Sequence, residues 1–154
     1  MTWDTPPDRS WRFPFDGDPP ADLPVTWAIA ARAVTDDLRC RRHGRRITFA
    51  HAVWSFAVAD GWISLGFETP FSADVGSYQS CLGSELETSP EQAVVWLAQN
   101  VQDELTGNEF VQWPIAGQRI LDPRLVDDHA VWVDPGTNTV IAPIGELCAA
   151  AEHG

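Results

Sequence analysis

The clearest hydrophobic periodicity in the chain lies between Ser89 and Asn108. Apolar residues recur there every three or four positions, which is the spacing of one face of a helix. Ser89 stands before Pro90, and Gln92 follows three residues after Ser89, an arrangement typical of a helix start with a capping box. The segment therefore predicts an amphipathic helix that ends near Gly107-Asn108 and buries Val94, Leu97, Ala98, Val101 and Leu105.

Residues 25–39 fit two patterns. Val25, Trp27 and Ile29 alternate as in a strand, whereas a second apolar set falls on one helical face. The many alanines favour the helix, so we predict a helix that ends near Gly44. The second set is Trp27, Ala31, Val34 and Leu38.

Strand-like alternation dominates two other regions. Ile47 to Val58 and Trp62 to Thr69 flank Asp60-Gly61, which is a strong hairpin signal. A third strand is expected within residues 77–87. Toward the C-terminus, Asp127-Asp128 predicts a hairpin turn, and Asp134-Pro135-Gly136 predicts a turn between "HAVWV" and "TVIAP".

The N-terminal residues 1–24 are rich in proline and aspartate, so regular structure is not expected there. We predict an extended arm packed along the protein's own surface, with docking on a partner through Trp3 and Trp11 as the alternative. Residues 25–154 are expected to form a single α+β domain. Its architecture would be an antiparallel sheet with one or two helices packed on one face.

Charge is distributed unevenly. The chain has 22 acidic residues and ten arginines, for a net charge of −12, and five of those arginines lie within "RCRRHGRR" at residues 39–46. The rest of the chain therefore carries −17. Such a field disfavours direct binding to nucleic acid or an anionic membrane. It would suit a basic partner, including a protein that normally binds nucleic acid.

The arginine-rich segment is the first candidate site. Guanidinium groups bind phosphate and carboxylate oxygens well, but arginines near the C-terminus of a helix also pair with the helix dipole and with nearby carboxylates. We expect a partner here to be an acidic protein or a second copy of the chain rather than DNA. The candidate residues are Arg39, Arg41, Arg42, Arg45 and Arg46.

The three cysteines, Cys40, Cys81 and Cys148, are expected to be free thiols in a cytoplasmic protein, because their number is odd and no secretory leader is evident. The spacings of Cys40 with His43 and of Cys148 with His153 resemble halves of a zinc site. The arginines around His43 would repel a cation, so neither a metal nor another cofactor is expected.

No pattern indicates catalytic residues. Cys81 has no neighbouring base or cation and fits a buried thiol better than a nucleophile. The enzymatic alternative is a ligand pocket lined by His51, Trp54, Trp62 and Trp96.

The stretches "VQDELTGNEFVQWP", "LDPRLVDDHAVWVDP" and "VIAPIGEL", within residues 101–147, resemble small actinobacterial proteins of uncharacterised function. The resemblance implies a zinc-ribbon-like half, with cysteine and histidine after "WP" and cysteine after "VW". This chain has none of those ligands, so the resemblance implies apolar packing in place of the metal.

Together these features favour a non-enzymatic, acidic protein-interaction domain in the bacterial cytoplasm, an adaptor or an inhibitor that imitates nucleic acid. A small-molecule-binding protein or small enzyme with the tryptophan-lined pocket is the first alternative. A homo-oligomeric structural protein is the second.

Overall fold

The computed structural model describes residues 9–70, 74–80 and 83–149. The chain forms two compact units. The first unit contains residues 1–23 and 48–88, and the second contains residues 24–47 and 89–154. Trp3, Cys81 and His153 lie outside the described residues.

The described helices are α1 (Val25–Asp37) and α2 (Pro90–Asn108). The described strands are β1 (Arg9–Pro14), β2 (His43–Gly44), β3 (Val53–Ala59), β4 (Trp62–Glu68), β5 (Tyr78–Gln79), β6 (Ser84–Glu85), β7 (Val111–Gln112), β8 (Ile115–Ala116), β9 (Arg119–Ile120), β10 (Asp122–Val126), β11 (His129–Asp134) and β12 (Thr139–Pro143). The predicted α+β class with antiparallel sheets is confirmed.

The first unit is built on an antiparallel sheet in the order β1-β3-β4-β5, with β6 also paired to β4. The predicted hairpin at Asp60-Gly61 is confirmed. Both residues have positive φ, 53° and 79°, as a two-residue turn that follows the twist of the strands requires. The first strand begins at Val53, however, so its expected start at Ile47 was wrong. The expected third strand consists of the two short strands β5 and β6.

The N-terminal segment contains a regular strand, contrary to the expectation of irregular structure. β1 pairs along its whole length with β3, and its alternation places Trp11 and Phe13 in the core, at 6% and 4% exposure. Phe15 follows and stacks on Trp54 with the ring centroids 4.3 Å apart. β1 is therefore a strand of the sheet in the first unit, and its aromatic side chains form part of the core of that unit.

The second unit packs α1 and α2 with the antiparallel sheet β10-β11-β12. The N-cap of α2 is confirmed, since the Ser89 hydroxyl accepts a hydrogen bond from the Gln92 amide at 3.1 Å. The predicted turn at Asp127-Asp128 is confirmed too, with φ of 51° and 64°. The predicted apolar face of α2 is buried.

The helix predicted after Pro24 is confirmed as α1. Its buried face includes Trp27 and Val34, whereas Val25 and Ile29 are exposed, as a helix requires and a strand would not. The helix ends at Asp37 rather than near Gly44. The residues between Asp37 and Gly44 form a turn and a short strand instead.

Candidate functional site: the arginine loop

The arginine loop, defined as residues 39–46, follows the end of α1 in the second unit. Its strand β2 pairs with β7. Arg41 adopts a positive φ of 62°, and its carbonyl accepts a hydrogen bond from the Ile115 amide at 3.0 Å. The main chain thereby curves around a depression of about 340 Å³, lined by residues 39–42 and 44–47. The loop thus presents a concave surface whose side chains are mostly arginines.

Arg39 and Arg45 pair with acidic residues. Arg39 lies 3.4 Å from Asp36. Arg45 lies 2.6 Å from the Glu109 carboxylate and also donates to the Glu109 carbonyl at 3.2 Å. The expected pairing of the loop with carboxylates of its own chain is therefore present for these two residues.

Other arginines of the loop donate to main-chain oxygens. Arg41 donates to the Ile115 carbonyl at 3.4 Å, and Arg42 donates to the Ile47 carbonyl at 3.0 Å. The Nε of Arg41 is buried without a hydrogen-bond partner. The Ile115 carbonyl oxygen orients the Arg41 guanidinium group without cancelling its charge. Arg46 is exposed, and the described residues supply it with no ion pair or hydrogen bond. The loop therefore keeps a positive surface.

A disulfide joins the loop to the C-terminal segment. Cys40 and Cys148 are bonded with an S–S distance of 2.08 Å across a sequence separation of 108 residues. The expectation that both were free thiols was wrong, because the fold brings their Cα atoms to 5.8 Å, a normal span for a disulfide. Neither sulfur is a thiolate ligand in this form, and Cys81 lies outside the described residues.

A buried carboxylate holds the C-terminal segment beside the loop. Asp37 is 0% exposed, and its two oxygens accept hydrogen bonds from Trp132 Nε1 at 2.7 Å, the Gly145 amide at 2.6 Å and the Leu147 amide at 3.0 Å. Burial raises the pKa of Asp37 above its usual value, although these hydrogen bonds act in the opposite direction. Its main-chain carbonyl also accepts a hydrogen bond from Trp113 Nε1 at 2.9 Å.

Sequence reasoning missed both Asp37 and the disulfide. Asp37 stands next to Asp36 in a helix, and only its partners in sequence-distant segments distinguish the two residues. Nothing in the sequence favours the pairing of Cys40 with Cys148 over a pairing of either residue with Cys81. Their pairing depends on a distance that the sequence does not reveal.

The predicted tryptophan-lined pocket is not assembled as expected. Trp54 is 0% exposed, and Phe15, Phe56 and Phe67 surround its ring. Trp62, 53% exposed, is at the opposite end of the β3–β4 hairpin and on the other face, because Trp54 pairs with Phe67 and Trp62 pairs with Ala59. Trp54 therefore packs in the core and does not line an opening.

The remaining residues proposed for that pocket are His51 and Trp96. His51 occupies an exposed turn before β3, so its predicted place within a strand was wrong. Trp96 belongs to α2 of the second unit and contacts Trp27 edge to face, with the ring centroids 5.8 Å apart.

Trp3 and Trp11 were the tryptophans considered for docking on a partner, and only Trp11 lies within the described residues. Trp11 is buried and carries Arg9 over its ring, with 4.9 Å between the guanidinium carbon and the ring centroid. It is unavailable to a partner in this conformation, and Trp3 lies outside the described residues.

A second depression, of about 550 Å³, lies along the β10–β12 sheet. Its apolar floor includes Val131 and Ile144, and its acidic side chains are Glu91, Asp127 and Glu146. The Glu91 carboxylate accepts a hydrogen bond from the Ala130 amide. The second unit thus presents both a basic and an acidic concave surface.

Across the described residues, no helix is long and apolar enough to cross a membrane, and no three His, Cys, Asp or Glu side chains group in a way that could hold a metal ion. The chain matches no known protein-family model, no curated protein and no solved structure.

Proposed function

We propose that this chain is a non-enzymatic interaction domain that binds an acidic segment of a protein partner through the arginine loop. The observation that carries the proposal is the concave surface lined by arginines in a molecule with a net charge of −12. We further propose the bacterial cytoplasm as its location. The resemblance of residues 101–147 to small actinobacterial proteins remains a prediction.

The structure of the loop supports recognition of carboxylates. Arg41 and Arg42 are held by carbonyl oxygens, which fixes the direction of each guanidinium group before a partner arrives. A preorganised group loses less conformational entropy on binding, and its planar fork matches the two oxygens of a carboxylate. The exposed Arg46 adds charge without a competing acceptor among the described residues.

The acidic remainder of the molecule supports selectivity. A long polyanion such as DNA must lie against the surrounding surface, where the chain outside the loop carries −17. A short acidic peptide segment could enter the depression and avoid most of this repulsion. The loop therefore favours a local acidic segment over an extended nucleic acid.

A fluorescein-labelled peptide of ten glutamates provides the test, with binding followed by fluorescence anisotropy across a sodium chloride series. We expect salt-sensitive binding and a loss of at least about tenfold in affinity for Arg42→Ala/Arg46→Ala, because two charge-assisted contacts disappear. Arg124→Ala, which changes an arginine of the same unit that pairs with Asp122, is the matched control.

Equal affinity of the wild-type protein and Arg42→Ala/Arg46→Ala would overturn the proposal, as would the absence of peptide binding at low salt. A single-stranded oligonucleotide of matched charge serves as the competitor. If it binds more tightly than the peptide, the selectivity argument is wrong.

Self-association is the second candidate, and the acidic depression along the β10–β12 sheet favours it. The arginine loop of one copy has the opposite charge to this surface on another copy. Sedimentation velocity at low and high salt tests the idea, with Glu146→Gln as the variant. A monomer under both conditions excludes it.

A further inference from the structure

We infer that the Cys40–Cys148 disulfide is a thiol–disulfide exchange site that reacts with a dithiol reductant, with Cys148 as the sulfur attacked and Cys40 as the leaving thiolate. The two sulfurs differ in exposure and in electrostatic surroundings. Both differences point to the same direction of attack.

Access favours attack at Cys148. This residue is exposed, whereas Cys40 is partly buried and lines the depression of the arginine loop. Thiol–disulfide exchange requires a thiolate to reach one of the two sulfurs. An incoming reductant therefore meets Cys148 Sγ first.

Charge favours departure of Cys40. It lies between Arg39 and Arg41 in the sequence and lines the same depression as Arg42. Positive charges near a cysteine stabilise its thiolate, and a better-stabilised thiolate leaves faster.

Asp36 and Asp37 stand near Cys40 in the sequence, and their negative charge would destabilise the Cys40 thiolate. Both carboxylates, however, have hydrogen-bond or ion-pair partners. Asp36 lies 3.4 Å from Arg39, and Asp37 accepts hydrogen bonds from three N–H donors. Their negative charge is thus partly compensated, whereas Arg41 is held by a neutral carbonyl oxygen. The Cys40 sulfur also lies 4.0 Å from the Asp37 carbonyl oxygen at the end of α1, so Cys40 leaves as a thiolate only where the arginine charges outweigh this dipole.

The reaction is balanced in two steps. The first thiolate of the reductant attacks Cys148 Sγ, an intermolecular S–S bond forms, and the Cys40–Cys148 bond breaks to release the Cys40 thiolate, which then takes up a proton. The second thiol of the reductant, once deprotonated, attacks the reductant's first sulfur, which is bonded to Cys148 in the mixed disulfide. This attack releases the Cys148 thiolate, which then takes up a proton. The protein gains two electrons and two protons, and the reductant becomes a disulfide.

Reduction would leave non-covalent contacts on both sides of the broken bond. Gly145 and Leu147 remain hydrogen-bonded to Asp37, and β2 remains paired with β7. The arginine loop would lose only its covalent connection to the C-terminal segment. Because this consequence rests on the proposed function, we expect reduction to weaken binding of the acidic peptide about threefold or more, through greater freedom of the arginines.

Glutathione is the probe for the direction of attack, in a Cys81→Ser background that removes the third cysteine. The folded protein is incubated with reduced glutathione, quenched with iodoacetamide and analysed by peptide mass spectrometry. We expect glutathione on Cys148 and the alkyl group on Cys40. Glutathione mainly on Cys40, or reaction only after unfolding in guanidinium, would overturn the inference.

The contribution of charge is tested by Arg39→Gln/Arg42→Gln, with Arg124→Gln as the control. Arg39 and Arg42 are both exposed, so the double variant is expected to fold. Reduction by dithiothreitol at fixed pH should slow by about tenfold in the double variant and stay unchanged in the control. Equal rates in all three proteins would show that the arginines do not activate Cys40.

The two proposals fail separately. If the oxidised and reduced proteins both fail to bind the deca-glutamate peptide while exchange proceeds as expected, the proposed function is wrong and the exchange site stands. If both forms bind the peptide equally, control of the loop by the disulfide is wrong and the proposed function stands.

Discussion

Replacing Asp37 with alanine would remove the acceptor of three hydrogen bonds at the centre of the second unit. The donors are Trp132 Nε1 and the amides of Gly145 and Leu147. Asp37 and Leu147 are 0% exposed, and so is Trp132. Water therefore does not replace the carboxylate without some rearrangement of the segment around Gly145.

The expected cost follows from the donors left without a partner. A buried donor without an acceptor costs about 1–3 kcal/mol, so the two buried donors, Trp132 and Leu147, would cost about 2–6 kcal/mol before relaxation, and the part-buried Gly145 amide would add a smaller amount. Water entering the space left by the carboxylate would recover part of this loss. We expect a decrease of about 4 kcal/mol in the free energy of unfolding, a large share of the roughly 5–15 kcal/mol typical of a folded protein.

Urea unfolding of the oxidised protein, followed by tryptophan fluorescence, measures this change. Asp36→Ala is the matched control, because Asp36 is the adjacent acidic residue and makes a partly exposed ion pair with Arg39. The control should lose less than about 1 kcal/mol. If Asp37→Ala lies within about 1 kcal/mol of the wild type, the carboxylate is not the anchor of the C-terminal segment.

Three further predictions concern pH, glycine packing and the disulfide. The raised pKa of Asp37 means that its stabilising contribution is fully present below its usual value of 3.8 and is lost as pH rises through the folded-state pKa. Urea unfolding from pH 4 to 7 should therefore show the wild type losing stability relative to Asp37→Asn, and the opposite trend would contradict the sign. Gly66→Ala should cost at least about 2 kcal/mol, because the added Cβ would lie 1.9 Å from the Tyr78 carbonyl oxygen. Gly107→Ala, whose Cβ would meet nothing within 4 Å, should gain about 0.5–1 kcal/mol by thermal melting, and similar melting temperatures would contradict the contrast. Cys148→Ser should cost about 4 kcal/mol in urea, since it opens a covalent loop across 108 residues, and a loss below about 1 kcal/mol would refute this reasoning.

Local patterns in the sequence were sufficient for the elements whose signals are themselves local. The capping box at Ser89 predicted the start of α2, and Asp60-Gly61 predicted the hairpin, because helix starts and two-residue turns depend on a few neighbouring residues. Periodicity also identified the buried face of α1. The end of α1 was misplaced, because residues after Asp37 are held by partners far along the chain: Cys40 is bonded to Cys148, and the Arg41 carbonyl accepts a hydrogen bond from Ile115.

The sequence by itself determined the α+β class, the charge imbalance and the position of the arginine loop as an exception to it. Tertiary structure decided what surrounds that loop. The pairing of Cys40 with Cys148, the three donors on Asp37 and the pairing of Arg45 with Glu109 join residues separated by 64 to 110 positions. Such contacts depend on how the elements pack, and no spacing within a segment encodes them. For the same reason, only the structure showed that Trp54 packs in the core while several arginines surround an open depression.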